Sequence, residues 1–361
     1  MFKTTIKMTA LIVILTLSGC AATTQKSQPL PDFAEYRNER TLENFQDYVQ
    51  FLKNKAEGQG VSKATLNAQQ QINYVESAIR LDKKQAGDLA RRKNQPPTPP
   101  NPMGATYYLA KHLNQAKVNK AVQQYSIVQS ALNNVARTYG VQPEFILALW
   151  GMESSFGHYQ GNFDVLSVLA TLSFDGRREK LFSQEFINAM KMLDSGHLPR
   201  SKMLGSWAGA MGQTQFMPTS YLNYAADGDG DGVKDIWKNQ ADVFASIANY
   251  LHSVGWNPNL PWGVEVSLTQ SMDLALSGIE KQKSRSLQAW QQLGIQINPD
   301  EVEKLTALSG TELWLVRPDK EVGRVFLVTN NFRTILDWNR SNYYALSVGI
   351  FADRIKAALG L

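Results

Sequence analysis

Apolar positions recur at helical spacing along most of the chain. Leu42, Phe45, Val49 and Leu52 mark a first helix, Gly58 and Gly60 interrupt it, and Ser62 is placed to cap a second helix that runs to about Leu81. Five prolines between Gln95 and Pro102 forbid helix and predict an extended connector. Beyond it, Val122, Tyr125, Val128, Leu132, Val135 and Tyr139 line one helix face, and Pro143 opens a helix that should stop at Gly157. Further helices are expected over 164–171, 178–193 and 242–253. The texture then changes. Val264, Val266 and Leu268 alternate, Leu313 and Leu315 pair in pattern with Val325 and Leu327, and a short helix over 286–293 interrupts these strands. The end, 343–359, is again an amphipathic helix. The pattern predicts a mainly α protein, α+β overall, with no internal repeat. Its divisions are 33–110 for an N-terminal helical lobe and connector, 111–255 for a helical core, 256–324 for a small α+β insertion, and 325–361 for a segment returning to the core.

The first residues change the picture. Lys3 and Lys7 precede an apolar stretch, Ala10–Leu17, that is too short to span a bilayer, so 1–19 reads as an export signal. It ends Leu17, Ser18, Gly19, Cys20, which resembles a bacterial lipobox, and Cys20 is then the lipidation site, followed by a polar tether over 20–32. Two or three acyl chains give durable anchoring. Ala21 after the cysteine favours the outer membrane, periplasmic face, over the inner one. Across 361 residues the net charge is +5, from 37 basic and 32 acidic side chains, which argues against a nucleic-acid binder and leaves room for an anionic partner. One cysteine excludes an intrachain disulfide framework and cysteine zinc clusters, the four histidines lack ligand spacing, and no Gly-rich phosphate loop is present.

One acid stands in apolar company. In Ala148–Gly157, helical geometry puts Leu149, Trp150 and Phe156 beside Glu153. Apolar neighbours and a helix C-terminus both disfavour the carboxylate, so Glu153 is placed to hold a proton near neutral pH, as a general acid must. A core-edge glutamate paired with a basic residue is the competing reading.

The same segment carries a resemblance. Trp-Gly-Met-Glu-Ser-Ser-Phe-Gly around Glu153, the stretch Ser206–Pro218, Ala248-Asn249-Tyr250, Ala170–Phe174 and Trp338–Ala345 occur in the order found in the membrane-bound lytic murein transglycosylase B family. The similarity runs from about Tyr107 to the end. It implies a lysozyme-like helical core that cleaves the β-1,4 bond between N-acetylmuramic acid and N-acetylglucosamine in peptidoglycan, leaving 1,6-anhydromuramoyl ends. Glu153 would act as acid and then as base, and the substrate's N-acetyl group would replace a second carboxylate. The family pattern places Ser206, Gln215, Tyr250, Trp338, Asn339 and Tyr344 on the substrate cleft. Trp338 departs from it, since tyrosine is frequent there; sugar stacking survives, but a phenolic hydrogen bond does not. The implied partners are peptidoglycan glycan strands, the membrane through the lipid, and proteins of wall-synthesis complexes. A non-catalytic wall-binding scaffold and a hydrolytic muramidase are the alternatives.

Asp227, Asp229, Asp231 and Asp235 occupy positions 1, 3, 5 and 9 of a loop with Gly232 at 6 and the Val233 carbonyl at 7, the spacing of an EF-hand-type calcium site. Position 12 is Lys238 in place of glutamate, which breaks the pattern. The resemblance implies a later final ligand, Asp242. Structural calcium is the expected cofactor, no organic cofactor is expected, and a solvated acidic turn is the alternative.

Overall fold

The computed structural model describes residues 36–94, 101 and 103–361, without the side chains of 88–94. The export signal, Cys20, the tether and most of the proline-rich connector lie outside the described residues. Helix α1 (Phe45–Gly58) buries Phe45, Val49 and Leu52 of the predicted stripe together with Tyr48 and Ala56, while Leu42 lies before it in a short 3₁₀ turn and is exposed. Ser62 caps α2 (Lys63–Ala68), its Oγ accepting from the Thr65 N–H at 3.2 Å.

The predicted continuation of that helix to Leu81 fails. The chain leaves helical geometry after Ala68 and resumes it in α3 (Glu76–Asn94). The backbone between them finds other partners. The Asn73 N–H donates to Ser167 Oγ and the Val75 N–H to Thr171 Oγ1, each at 3.0 Å, while Arg200 donates to the carbonyls of Gln70 and Gln71. Side chains from a distant helix satisfy groups that a local helix would otherwise satisfy. On α3, Asp82 accepts from both Arg177 and Arg178.

Two helices precede the centre of the molecule: α4 (Gly104–His112) and α5 (Gln115–Tyr139), the latter capped by Asn114 and closed by Gly140 at φ 63°. Helix α6 (Pro143–Ser154) has an unbroken buried run from Glu144 to Gly151. Being apolar nearly all round, it serves as the central helix, packed by α5 on one side. A two-stranded pair follows, β1 (Phe163–Asp164) with β2 (Leu204–Gly205), bracketing in the chain α7 (Val165–Phe174), which is wholly buried, and the amphipathic α8 (Glu179–Asp194). Then come α9 (Pro218–Tyr224), whose Thr219 N–H is held by Glu185 at 2.9 Å, and α10 (Gln240–Ser253), which packs on α5 and α6.

The insertion is an antiparallel sheet of β3 (Gly263–Leu268), β4 (Ile295–Ile297), β5 (Trp314–Val316) and β6 (Val325–Val328) in the order β4-β3-β6-β5, with the short helices α11 (Leu287–Gln292) and α12 (Leu305–Leu308). Val266 faces Ile297 and Val325, Val264 faces Leu327, and Leu315 faces Leu327. With period-2 alternation, these residues form one apolar face around Trp290 and Leu308. β6 is a central strand, so the sheet continues past the expected boundary at residue 324; its four buried residues need neighbours on both edges and both faces.

From β6 the chain enters α13 (Asn330–Trp338), capped by Thr329, and α14 (Asn342–Leu359), capped by Ser341. Helix α14 lies on α6 and α5. Gly349 makes room there: a Cβ at that position would come within 2.4 Å of the Trp262 ring, which joins the sheet to α14 and donates to Asp353 at 2.9 Å.

Asp82 gives a stability test. Burial pushes its carboxyl pKa up, but the bonds from Arg177 and Arg178 outweigh this and hold it below the ordinary value. Asp82→Ala should lower unfolding free energy by about 2 kcal/mol at neutral pH, the scale of hydrogen bonds to a charged group. Because the folded pKa lies below the unfolded one, the contribution is lost as pH falls through the folded value, and denaturation midpoints of variant and wild type should converge in acid.

Candidate active site and acidic loop

Glu153 stands in the last turn of α6, followed by Ser154 and then by two left-handed residues, Ser155 at φ 50° and Phe156 at φ 61°, that end the helix. Trp150, one turn earlier, is buried; its Nε1–H donates to Gln213 Oε1 at 2.6 Å, and its ring meets Phe156 and Phe244 edge-on. Gln213 in turn donates to the Trp237 carbonyl at 2.9 Å. Gly157, at φ 83°, lets this bridge close, since a Cβ there would come within 2.5 Å of Gln213 Oε1. The sequence marked Gln213 only as part of a motif, yet it is a main fastening of the helix that carries the acid.

The carboxyl of Glu153 is met from the far end of the chain. Trp338 Nε1–H donates to Oε1 at 2.8 Å, and the Tyr344 hydroxyl donates to the same oxygen. Among the described residues nothing donates to Oε2. Burial pushes the Glu153 pKa up, against the Tyr344 and Trp338 hydrogen bonds and the positive charge of Lys117, and the net direction is upward. Lys117 is half-buried, 3.3 Å from the Met152 sulfur. Burial, and then the charge of Glu153, keep the Tyr344 phenol far above its ordinary pKa, so it remains a donor.

Beside this pair stands an aromatic wall. The Trp338 ring lies 4.7 Å from Tyr250 and 5.2 Å from Phe216, and Tyr250 lies 4.5 Å from Tyr224. Burial, with Tyr224 close by, pushes the Tyr250 phenol up to about 12. Glu153, Trp338, Tyr344 and Tyr250 are therefore brought together. Ser206 and Gln215 instead hold their own loop: Ser206 Oγ accepts from the Ala208 and Ala210 N–H groups, and Gln215 Nε2 donates to Gly212 and Gln160 carbonyls. Asn339 is exposed, with its backbone N–H on the Ile335 carbonyl. Beyond the stacking surface expected of its ring, Trp338 also brings an indole N–H to the acid.

In the acidic loop, carboxylate oxygens of Asp227, Asp229 and Asp242 lie within 4.8 Å of one another. Asp242 is fully buried at the start of α10, and its two oxygens accept from the N–H groups of Gly228 and Asp235, both at 2.7 Å. Asp231 and Asp235 cap local turns, accepting from Val233 and from Trp237 and Lys238. A convergent oxygen-only set suits a hard cation of the calcium type. Burial raises the Asp242 pKa, with Asp229 and Asp227 adding repulsion that a cation would remove.

A helical body that presents one hemmed-in carboxyl beside a wall of aromatic rings defines a glycan-cleaving enzyme of the lysozyme-like kind. More narrowly, the chain belongs to the lytic transglycosylases, for residues 44–353 match the family described as Transglycosylase SLT domain. It is 32% identical over 308 residues to membrane-bound lytic murein transglycosylase B of Escherichia coli (strain K12), covering 80% of this chain and 78% of that protein. Its fold is similar to that of SltB3 from Pseudomonas aeruginosa in complex with NAG-NAM-pentapeptide, at 36% identity and a TM-score of 0.74 over 86% of this chain and 79% of that one. It is also similar to the Escherichia coli lytic transglycosylase SLT35 in complex with calcium, at 26% identity and a TM-score of 0.70 over 90% and 100%. Among the described residues no helix is long and apolar enough to cross a membrane.

The geometry predicts how the acid titrates. Trp338→Phe keeps an aromatic ring and removes a donor that favours the carboxylate, so the Glu153 midpoint should rise. NMR titration of side-chain carboxyl carbons in wild type and variant checks this; an unmoved or lowered midpoint would contradict it.

Proposed function

We propose that this enzyme cleaves the β-1,4 bond between N-acetylmuramic acid and N-acetylglucosamine with formation of 1,6-anhydromuramoyl ends, and that Glu153 is its catalytic residue. The observation that carries this reading is the convergence of two donors on one oxygen of a carboxyl whose pKa is raised by burial. With Oε1 occupied, Oε2 carries the proton. It is delivered to the glycosidic oxygen as the bond to C1 breaks, while the substrate's N-acetyl group assists at C1. The resulting carboxylate, stabilised by Trp338 and Tyr344, then takes the proton of the C6 hydroxyl as O6 bonds to C1. One residue thus serves twice, with no net proton change. Tyr250 and Trp338 would flank the sugars, Ser206 and Gln215 would shape the loop opposite, and Asn339 would contact substrate from the rim. The core over 111–255, closed by the returning helices, would form the cleft behind the lobe over 33–110. Lipid on Cys20 would hold the enzyme at the periplasmic face of the outer membrane, within reach of the wall.

Glu153→Gln tests the reading. Release of anhydromuropeptides from purified murein, followed by mass spectrometry, should fall by about 10²–10⁴-fold while glycan binding persists. Reducing ends in the wild-type digest would indicate a muramidase, and absence of cleavage a binding protein.

We further propose that Asp227, Asp229 and Asp242 hold calcium, with the Val233 carbonyl, Asp231 and Asp235 available to complete or support the shell. Its role would be structural, fixing the loop to the start of α10. Calcium in excess over its dissociation constant should raise the thermal midpoint, and Asp229→Asn should weaken binding by about tenfold in calorimetric titration. A midpoint indifferent to millimolar calcium would remove the cation from the description.

A further inference from the structure

The hairpin that joins β5 to β6 reaches from the insertion to the start of α14. Its turn covers 317–324, and in it Asp319 is buried, while the next residue, Lys320, takes the left-handed conformation at φ 62°, uncommon for a residue with a side chain. Both carboxyl oxygens of Asp319 are used. Oδ2 accepts from the Ala105 N–H at 2.9 Å, one of the donors that the start of α4 leaves without an intrahelical partner, and Oδ1 accepts from the Tyr343 hydroxyl. Among the described residues no basic side chain pairs with Asp319; Arg317, two positions earlier, donates instead to the Met272 carbonyl at 2.9 Å. Gly104 keeps the space open, since a Cβ there would overlap Asp319 Oδ1 and lie 3.1 Å from the Tyr343 oxygen.

Tyr343 and Tyr344 stand in the first turn of α14, and helix ends fray unless something holds them. Adjacent helical residues point about 100° apart. Tyr344 accordingly meets Glu153, while Tyr343 meets α4, with its ring 5.1 Å from that of Tyr108 and its hydroxyl on Asp319. Tyr108 packs in turn on His112, 4.4 Å between ring centres. Within the chain the turn is held by the Ser341 cap, whose Oγ accepts from the Tyr344 N–H at 3.3 Å, just beyond the usual range for such a bond. The bond between Tyr343 and Asp319 is the side-chain hold that fixes rotation of this turn about the helix axis, and that rotation decides whether the Tyr344 hydroxyl reaches Oε1 of Glu153. Burial, with the bond to Asp319, pushes the Tyr343 phenol up to about 12, so it stays a donor.

We propose that Asp319 is a positioning residue for the reaction: acting through Tyr343, it sets the donor that Tyr344 presents to Glu153. The inference rests on the reading of Glu153 as the catalytic acid, and it gives the insertion, which itself places no donor on that carboxyl, a part in the chemistry. Two ways for Asp319 to act on Glu153 have opposite signs. A carboxylate acting at a distance disfavours a second carboxylate, so its removal would lower the Glu153 midpoint; acting through Tyr344 it favours the carboxylate, so its loss raises the midpoint. The other groups that face Glu153 or Tyr344, Trp338 from α13, Lys117 from α5 and Tyr108 from α4, are not altered by substitution at 319 or 343.

The test reads two quantities on the full chain: the Glu153 midpoint, by NMR titration of side-chain carboxyl carbons, and kcat and KM for release of anhydromuropeptides from solubilised glycan strands. Tyr343→Phe keeps the ring and leaves Asp319 on Ala105. It should raise the midpoint by about 0.5 pH unit and lower kcat by about fivefold, with KM within about twofold. Gly104→Ala, which displaces the Asp319 oxygen but keeps its charge, should act in the same direction, as should Asp319→Ala; if Asp319→Ala does not fold, the other two variants decide. On a Tyr344→Phe background none of the three should move the midpoint further. A midpoint unmoved by both Tyr343→Phe and Gly104→Ala, a midpoint lowered by Asp319→Ala, or equal shifts with and without the Tyr344 hydroxyl would overturn the proposal. The wild-type digest separates it from the reading beneath it. Anhydro products with unmoved midpoints sink the positioning role alone, whereas raised midpoints without cleavage sink the activity and leave the hold on Tyr344 standing.

Discussion

The structure turns on the carboxyl of Glu153, held between burial and two donors. Burial alone would favour the neutral form so strongly that the group, once it had given up its proton, would be poorly tolerated. Donors alone would leave an ordinary carboxylate with no proton to give. Trp338 and Tyr344 aim at one oxygen, stabilising the charged form without competing for the other, while burial keeps the overall direction upward. A group proposed to act as acid and then as base needs both influences, and donors confined to Oε1 leave Oε2 open to carry the proton.

That arrangement joins segments 185 and 191 residues apart, so much of the fold is concerned with returning the chain. Between α6 and its donors lie the buried helix α7, the amphipathic α8, the tight 206–216 loop and the whole sheet insertion. The insertion is fastened to the return at several points. Trp262 packs into the space left by Gly349, Thr329 caps α13, and buried Asp319 accepts from both the Tyr343 hydroxyl and the Ala105 N–H at the start of α4. Asp319 therefore links the insertion to the residue next to Tyr344. Misplacing the sheet would move a donor on the Glu153 carboxyl.

Periodicity made much of this legible. The apolar face of α5, the Pro143 start of α6 and the alternation in β3 and β6 each follow from local rules, and Glu153 stood out because its helical neighbours are apolar. The signals failed where distant groups decide. The stretch after Ala68 carries helix-compatible residues, yet Ser167, Thr171 and Arg200 take over its backbone partners. Helix α4 depends on an Asp319 cap more than 200 residues away. In the acidic loop, spacing alone could not say which carboxylates converge, because Asp231 and Asp235 are drawn into local turns while Asp242 arrives from the next helix. Trp338 shows the same limit at the site itself, since ring chemistry is readable from sequence and the direction of an indole N–H is not.

Helix α10 connects the remaining features and constrains what a cation in the loop can do. Asp242, in its first turn, closes the acidic loop through two backbone N–H groups; Tyr250, eight positions later, stands in the aromatic wall; Val254, just past the end, lines a recess with Arg333 and Arg340. At 1.5 Å per residue, Asp242 and Tyr250 are separated by about 12 Å along the axis. An ion held at Asp242 is thus too far away to polarise a sugar beside Tyr250. Its effect must be mechanical, exerted through the placement of a helix whose far end shapes both the wall and the recess. The charge repulsion among Asp227, Asp229 and Asp242 falls on the N-terminal turn of that same helix, so a cation that relieved it would steady the element that places Tyr250.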